Sequence, residues 1–333
     1  MRGRFIALLV VLAAIVGGWT YAWTQVRDTV IGNVDRGIGD LASQGITVIC
    51  LDRSVGGWPF RVSVSCRNPE ITLPDGTHMS AAGLESNGSV NDPDLIVSRF
   101  AAPITFRAPT GEVFEGTFSA LTTSFRPDPN GGSVPQVSIA AEDLAANVTA
   151  GGLDIGRVTA RHVEAHLRSP ASSTADVEFS ATLNGAAGLV GTTDLLPEEA
   201  DAGVLLRVRN GTMIDGTPDG LAAWAAAGGG AEVAQVAVEI GETRIEAEGS
   251  ATVASDGAVV GTLTATATRI DWLTAQAAAG KPLNPVLAAL GSAFALIGRA
   301  GEGEGNPRTL TIDMSNGAVT ANGLPLGSAP RLF

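Results

Sequence analysis

Directly behind Arg2 and Arg4 the chain runs uncharged from Phe5 to Val26, and this run constrains where everything after it can fold. The stretch IALLVVLAAIVGGWTYAW is long enough to cross a hydrocarbon core as a helix, which takes about 20 residues. Positive charge precedes the run, so the N-terminus is expected to stay cytoplasmic and the chain beyond Val26 to lie outside. A cleaved leader is the competing reading. Its best cleavage position follows Thr20-Tyr21-Ala22, a poor small-x-small site with Trp23 after it. Trp19, Tyr21 and Trp23 read instead as aromatic anchors at the outer membrane interface. Either reading exports the remainder, and the expected location is the inner membrane, single-pass, with a periplasmic main domain.

The exported part must then fold in an oxidising compartment, which bears on the two cysteines. Ile46, Val48 and Cys50 alternate with polar or outward positions, and Val62, Val64 and Cys66 alternate with Arg61, Ser63 and Ser65. Both cysteines therefore share the apolar face of their strands. Asp52 to Gly57 reads as the turn between them, and a hairpin folded about residue 58 sets Cys50 opposite Cys66. That geometry predicts a Cys50–Cys66 disulfide.

Between the anchor and these strands, Val30, Val34, Ile38 and Leu41 recur at helical spacing among charges, an amphipathic helix over residues 27–45. It would pack on the following sheet or lie on the membrane surface. From Ile46 onward the period is two. The clearest case is Ile245, Ala247, Gly249, Ala251 and Val253 alternating with Arg244, Glu246, Glu248, Ser250 and Thr252, followed across Ser255-Asp256-Gly257 by a second such run to Thr268. With 42 Gly, 17 Pro and 17% charged residues, long helical bundles are excluded and short turns are frequent. Helix starts stand at Thr217-Pro218, Asp271 and Asn284-Pro285, with stops at Gly228-Gly229-Gly230 and Gly280-Lys281-Pro282, and the loop Gly301 to Asn306 is the one expected to move most. The expected fold is mainly β, a β-rich α+β chain. A long curved antiparallel meander with a few covering helices follows the N-terminal transmembrane helix. Residues 46–333 form its periplasmic domain, after the anchor at 1–26 and the helix at 27–45. The apolar strand faces are dominated by Ala, Gly, Val and Thr, with only 5% aromatics. Such faces either pack closely against another layer or leave a groove for something else, and Val253 is taken as groove-facing.

Chemistry-bearing motifs are sparse. A net charge of −13 argues against nucleic acid and against a broad electrostatic grip on anionic lipid. His162, Glu164 and His166 could in principle share a metal on a helix, but Val163, Ala165 and Leu167 alternate as a strand, putting the polar three on a solvated face. No nucleophile elbow, phosphate loop, dinucleotide fingerprint or zinc spacing is present, so no catalytic residue, metal or cofactor is expected and an enzyme is disfavoured. Gly56-Gly57-Trp58-Pro59-Phe60-Arg61 remains: a hairpin tip whose Trp58 and Phe60 either plug the turn or touch membrane or ligand.

At this tip the chain resembles a bacterial family. The anchor, Gly57-Trp58-Pro59-Phe60-Arg61-Val62-Ser63-Val64-Ser65-Cys66 and the closing segment from Asn316 to Gly327 resemble domain-of-unknown-function family 2125 over nearly the whole chain. The G-x-P-F hairpin and the terminal Asn322-Gly323-Leu324-Pro325-Leu326-Gly327 are also similar to the broader AsmA-like envelope proteins. That resemblance implies an anchored, groove-shaped β-sheet outside the cytoplasmic membrane, associated with lipid handling or envelope assembly. The leading expectation is thus a non-enzymatic protein that binds lipid or another hydrophobic ligand in its sheet. The alternative is a scaffold of an envelope complex that pairs its sheet edges with protein partners.

Overall fold

A computed structural model describes residues 2–331 apart from 90, 129–131, 191–192, 195, 197, 215–216, 255, 280–284, 302–304, 316 and 329–330. The expected helix stop at Gly280-Lys281-Pro282, the start at Asn284, Ser255 of the hairpin turn, part of the Gly301–Asn306 loop and Asn316 of the closing motif lie outside the described residues. The strands belong to one large antiparallel sheet, as expected, and the chain divides into two compact units.

The first unit comprises residues 1–124 and 149–153. It opens with α1 (Arg2–Ser43), a single helix of 42 residues. At 1.5 Å per residue this is about 63 Å, roughly twice a hydrocarbon core. The anchor and the helix expected at 27–45 are therefore one element. No proline interrupts them, and Gly32, Gly37 and Gly39 keep helical backbone, so change of polarity alone does not break the hydrogen-bond ladder. The helix ends where Gly45 takes φ +79°, with Gly45 N–H bonding Ala42 O and Ile46 N–H bonding Leu41 O, the paired bonds of a Schellman stop.

Four strands then pair in order: β1 (Thr47–Gly56), β2 (Arg61–Thr72), β3 (His78–Ser89) and β4 (Asp92–Arg107). β5 (Glu112–Thr117) adds to β4, and β6 (Ala120–Arg126) follows. The turn expected over Asp52–Gly57 is corrected: β1 continues to Gly56, and Asp52, at φ +48°, sits between two register shifts. The chain reverses at Gly57–Phe60 instead. Gly57 has φ +104°, and a Cβ there would fall 2.6 Å from Arg61 O, so only glycine fits this tip.

The second unit, residues 125–148 and 154–333, is a meander. Its strands are β7 (Gln136–Ala150), β8 (Leu153–Arg168), β9 (Val177–Val190), the short β10 (Thr193–Asp194), β11 (Ala200–Arg209), then β12 (Gly230–Ile240), β13 (Thr243–Val253) and β14 (Val259–Thr268). β15 (Arg299–Ala300), β16 (Arg308–Ser315), β17 (Ala318–Ala321) and β18 (Leu324–Ser328) close it. From β8 the pairings run through β9, β11, β12, β13, β14, β16 and β17 to β18, all antiparallel. Register aligns Ala165, Ala181, Val204, Val236, Ala247, Ala265 and Leu310 into one apolar row across successive strands.

Helices cover parts of this unit's sheet. α2 (Pro218–Ala226) starts as read, with Thr217 Oγ1 accepting from Gly220 N–H and proline at the first turn. Its Trp224 is buried with Ala225 and Val253, and the indole N–H donates to Arg209 O at 2.6 Å. Val253 is therefore not groove-facing. It is covered by α2. α3 (Ile270–Ala278) and α4 (Pro285–Ile297) form the main core with the sheet, where Leu273 and Phe294 lie over Ala267 and Leu310. Small strand residues here allow close helix approach, and Ala267 is completely covered. Phe294→Ala is expected to cost about 3–5 kcal/mol of this core's stability, read as loss of hydrogen-exchange protection in β14 and β16 before the first unit opens.

Candidate functional site

The two halves of α1 meet different surroundings. From Phe5 to Val16 large apolar side chains are exposed around the helix, as a bilayer-crossing segment requires. From Phe5 to Trp23 the rise is about 27 Å, close to one hydrocarbon thickness. At that point the hairpin tip joins the helix. Trp19 Nε1–H donates to Pro59 O at 2.9 Å and Trp23 Nε1–H donates to Arg61 O at 3.2 Å. The Trp19 and Phe60 rings lie 5.8 Å apart, and Arg53 pairs with Asp35 at 2.6 Å further along the helix. Residues four apart share a helix face, so Trp19, Trp23 and Arg27 line up toward the sheet ahead of Val30, Val34 and Ile38.

Beyond the tip, this helix face and the sheet do not close on one another. Between them lies a cavity of about 610 Å³. Val30, Val34 and Ile38 form the helix wall; Val48, Ile49, Cys50, Val62, Val64, Cys66, Ile71, Leu84 and Ile96 line the sheet side. Val62 and Cys66 are buried at its floor, while Ile49, Ile71 and Ile96 stand exposed. The lining is mainly aliphatic, with Asn33, Arg53, Ser86 and Asn87 as its polar members, and the volume falls within the roughly 300–1,000 Å³ usual for small-ligand sites. A second cleft of about 530 Å³ runs behind the tip, lined by Gly57 to Arg61 and by Leu95 and Val97; both cavities have Asn87 and Gly88 in their walls. The Asn87 amide is fixed by Ser63 Oγ–H at 2.7 Å and by donation to Glu85 at 3.2 Å.

Of the residues singled out in the sequence, Cys50, Cys66, Trp58 and Phe60 fall here. Cys50 and Cys66 stand with Cα atoms 5.4 Å apart and sulfurs bonded, on the groove wall rather than away from it. Trp58 and Phe60 form the tip, 52% and 63% exposed, so they do not plug the strands beneath. Ile49, Ile71, Ile96 and the helix stripe escaped the sequence reading as site residues. The spacing Val30, Val34, Ile38 already indicated a buried stripe, but not that it stops short of its partner. Replacing both cysteines by serine is expected to lower stability by about 2–4 kcal/mol and to widen the groove, measured by urea unfolding of the full chain against its reduced form.

The polar cluster flagged on β8 is a strand face, as read. His162 Nδ1 bonds Glu142 at 2.8 Å, His166 Nδ1 bonds Ser138 Oγ at 2.8 Å, and Glu164 lies 3.5 and 2.9 Å from the remaining ring nitrogens. All four ring nitrogens thus have partners. The buried carboxylate of Glu178 is likewise engaged: hydrogen bonds from Arg168 and then Arg207 hold it below the usual carboxylate range. The bond to Glu142, more than the Glu164 charge, raises His162 above the ordinary histidine value of 6.5. A raised folded-state pKa means this contribution is complete below pH ~6.5 and fades as pH climbs through the folded value. An NMR titration is expected to place His162 above 6.5, and Glu142→Gln to bring it back down.

No curated protein and no solved structure matches the chain. A family model described as "uncharacterized protein conserved in bacteria" (DUF2125) matches residues 19–330, so the match takes in the tip, the groove and the second unit together, and the chain belongs to this bacterial family.

Proposed function

We propose that this is a non-enzymatic, membrane-anchored protein that holds a lipid or similar hydrophobic ligand between its anchor helix and its sheet, on the periplasmic side of the cytoplasmic membrane. One observation carries this reading: an aliphatic groove, open along Ile49, Ile71 and Ile96, begins about one helical turn beyond the segment that can cross a bilayer. An apolar molecule leaving the membrane along α1 meets this groove before it meets water. The disulfide in the groove wall supports an oxidising location, and the two arginines ahead of Phe5 support a cytoplasmic N-terminus. The likeness of the tip and closing segments to AsmA-like envelope proteins points the same way.

A scaffold reading has one observation of its own. β18 pairs with β17 and, among the described residues, with no other strand, and Leu324 and Leu326 on it are exposed. Such an edge can accept a partner strand. Native mass spectrometry of the full-length chain in a mild detergent separates the two. The groove reading expects a lipid-sized adduct whose occupancy falls about tenfold or more in Ile96→Asp, because a carboxylate would be desolvated by the bound chain. Ile96 is 40% exposed, so the variant should fold. A clean unliganded mass for the wild type would favour the scaffold.

A further inference from the structure

We infer that the hairpin tip is a second membrane contact: Trp58 and Phe60 insert into the outer interface of the bilayer beside α1, so that the first unit is held at the membrane surface by two elements rather than one. The partner is a phospholipid bilayer surface, and the inference rests on α1 crossing that bilayer.

Position is what argues it. Trp19 stands 14 residues after Phe5, about 21 Å along the helix. A span that begins at Phe5 and covers roughly 30 Å of hydrocarbon therefore has Trp19 inside its outer edge. The tip is tied to that level by the bond from Trp19 to Pro59 O and by the Trp19–Phe60 ring contact, and one turn further out by the bond from Trp23 to Arg61 O. Wherever the bilayer sits on α1 in this register, Phe60 sits at the same depth. Water is a poor surrounding for Phe60 at 63% exposure and Trp58 at 52%, each left more than half uncovered by the protein. The interface is where aromatic side chains of this kind are at home.

Arg27 lies one turn beyond Trp23 on the same helix face. That is the level of the lipid phosphates, just outside the aromatic layer, and a guanidinium is suited to them. The tip backbone is also built to stay in place: Gly57 admits no side chain, and Arg61 N–H bonds back to Gly57 O at 3.2 Å.

Photocrosslinking tests this on the full-length chain in nanodiscs of phosphatidylethanolamine and phosphatidylglycerol. Benzoylphenylalanine is placed singly at positions 60, 12 and 106. Leu12 is an exposed residue inside the span. Phe106, also exposed, aligns through Met79 with Ile71, about 33 Å along β2 from Arg61 at roughly 3.3 Å per residue. Phospholipid-mass adducts are expected at 12 and 60 in comparable yield, and at 106 at least about fivefold less. Adducts at 12 with none at 60 would overturn the tip contact and leave the anchor standing. Absence at both positions would remove the anchor reading with it. Equal yields at 60 and 106 would also overturn the inference, because contact would then not be confined to the tip. Should the residue-60 variant misfold, the same substitution at Trp58 carries the test.

Discussion

Two indole N–H groups, on Trp19 and Trp23, donate to main-chain carbonyls of the hairpin tip, and the geometry of the first unit depends on them. An indole N–H is a donor only, and a main-chain carbonyl outside a paired ladder can satisfy it. The carbonyls of Pro59 and Arg61 are free to accept because they lie in and beside a turn, where the β1–β2 ladder ends. Sheet and anchor are thereby joined at a fixed height. With the Arg53–Asp35 pair further along, the helix is held at two places and spans the groove between them. A charged pair this exposed contributes little stability on its own; its value here is to fix orientation.

This arrangement explains why α1 is continuous. Were the helix broken at Val26, the stripe of Val30, Val34 and Ile38 could rotate onto Val62 and Val64 and close the cavity. The unbroken helix from Arg2 to Ser43 denies it that freedom. The disulfide works in the same direction from the sheet side. It ties β1 to β2 near the register shifts about Leu51, where ladder hydrogen bonding is poorest. Each side of the groove is thus stiffened independently of the other, which is what an unfilled apolar cavity needs if it is not to collapse.

Much of this was legible in the sequence, and the failures have physical causes. The long apolar N-terminal helix, the Cys50–Cys66 pair, the β13–β14 hairpin and the Thr217-Pro218 helix start all follow from local rules that tertiary contacts did not override. β3 was missed. Its residues, His78 to Ser89, are rich in Ser, Gly, Asn and Ala and show no apolar alternation, because it lies between β2 and β4 and gains its order from their ladders. Gly83 shows the same dependence: a Cβ there would sit 3.4 Å from that of Ala101. The turn between the cysteines was set too early because Asp52, Arg53 and Ser54 look like loop residues, whereas a positive φ at Asp52 lets the strand bulge and continue. Val253 was misplaced because alternation reports which face a residue takes, not what covers that face. The groove itself could not be read, since it arises where two amphipathic elements meet incompletely, and periodicity describes each of them alone.

The two units use apolar residues differently, and the difference bears on function. In the second unit the row from Ala165 to Leu310 is mostly Ala and Val, and where helices cover the sheet the small side chains let them approach until Ala267 is sealed. In the first unit the surfaces facing each other carry Ile, Val and Leu, the residues that normally fill a core, yet Ile49, Ile71 and Ile96 remain exposed. Bulky aliphatic side chains left facing a gap are unfavourable in water by the area they expose. A chain that needed only a stable sheet would gain by shortening these side chains or by letting the helix settle on them, as it does with Ala267 under α4. Keeping them large while α1 is held at the tip by Trp19 and Trp23 fits the proposal that the missing contacts come from something apolar that is not part of the chain.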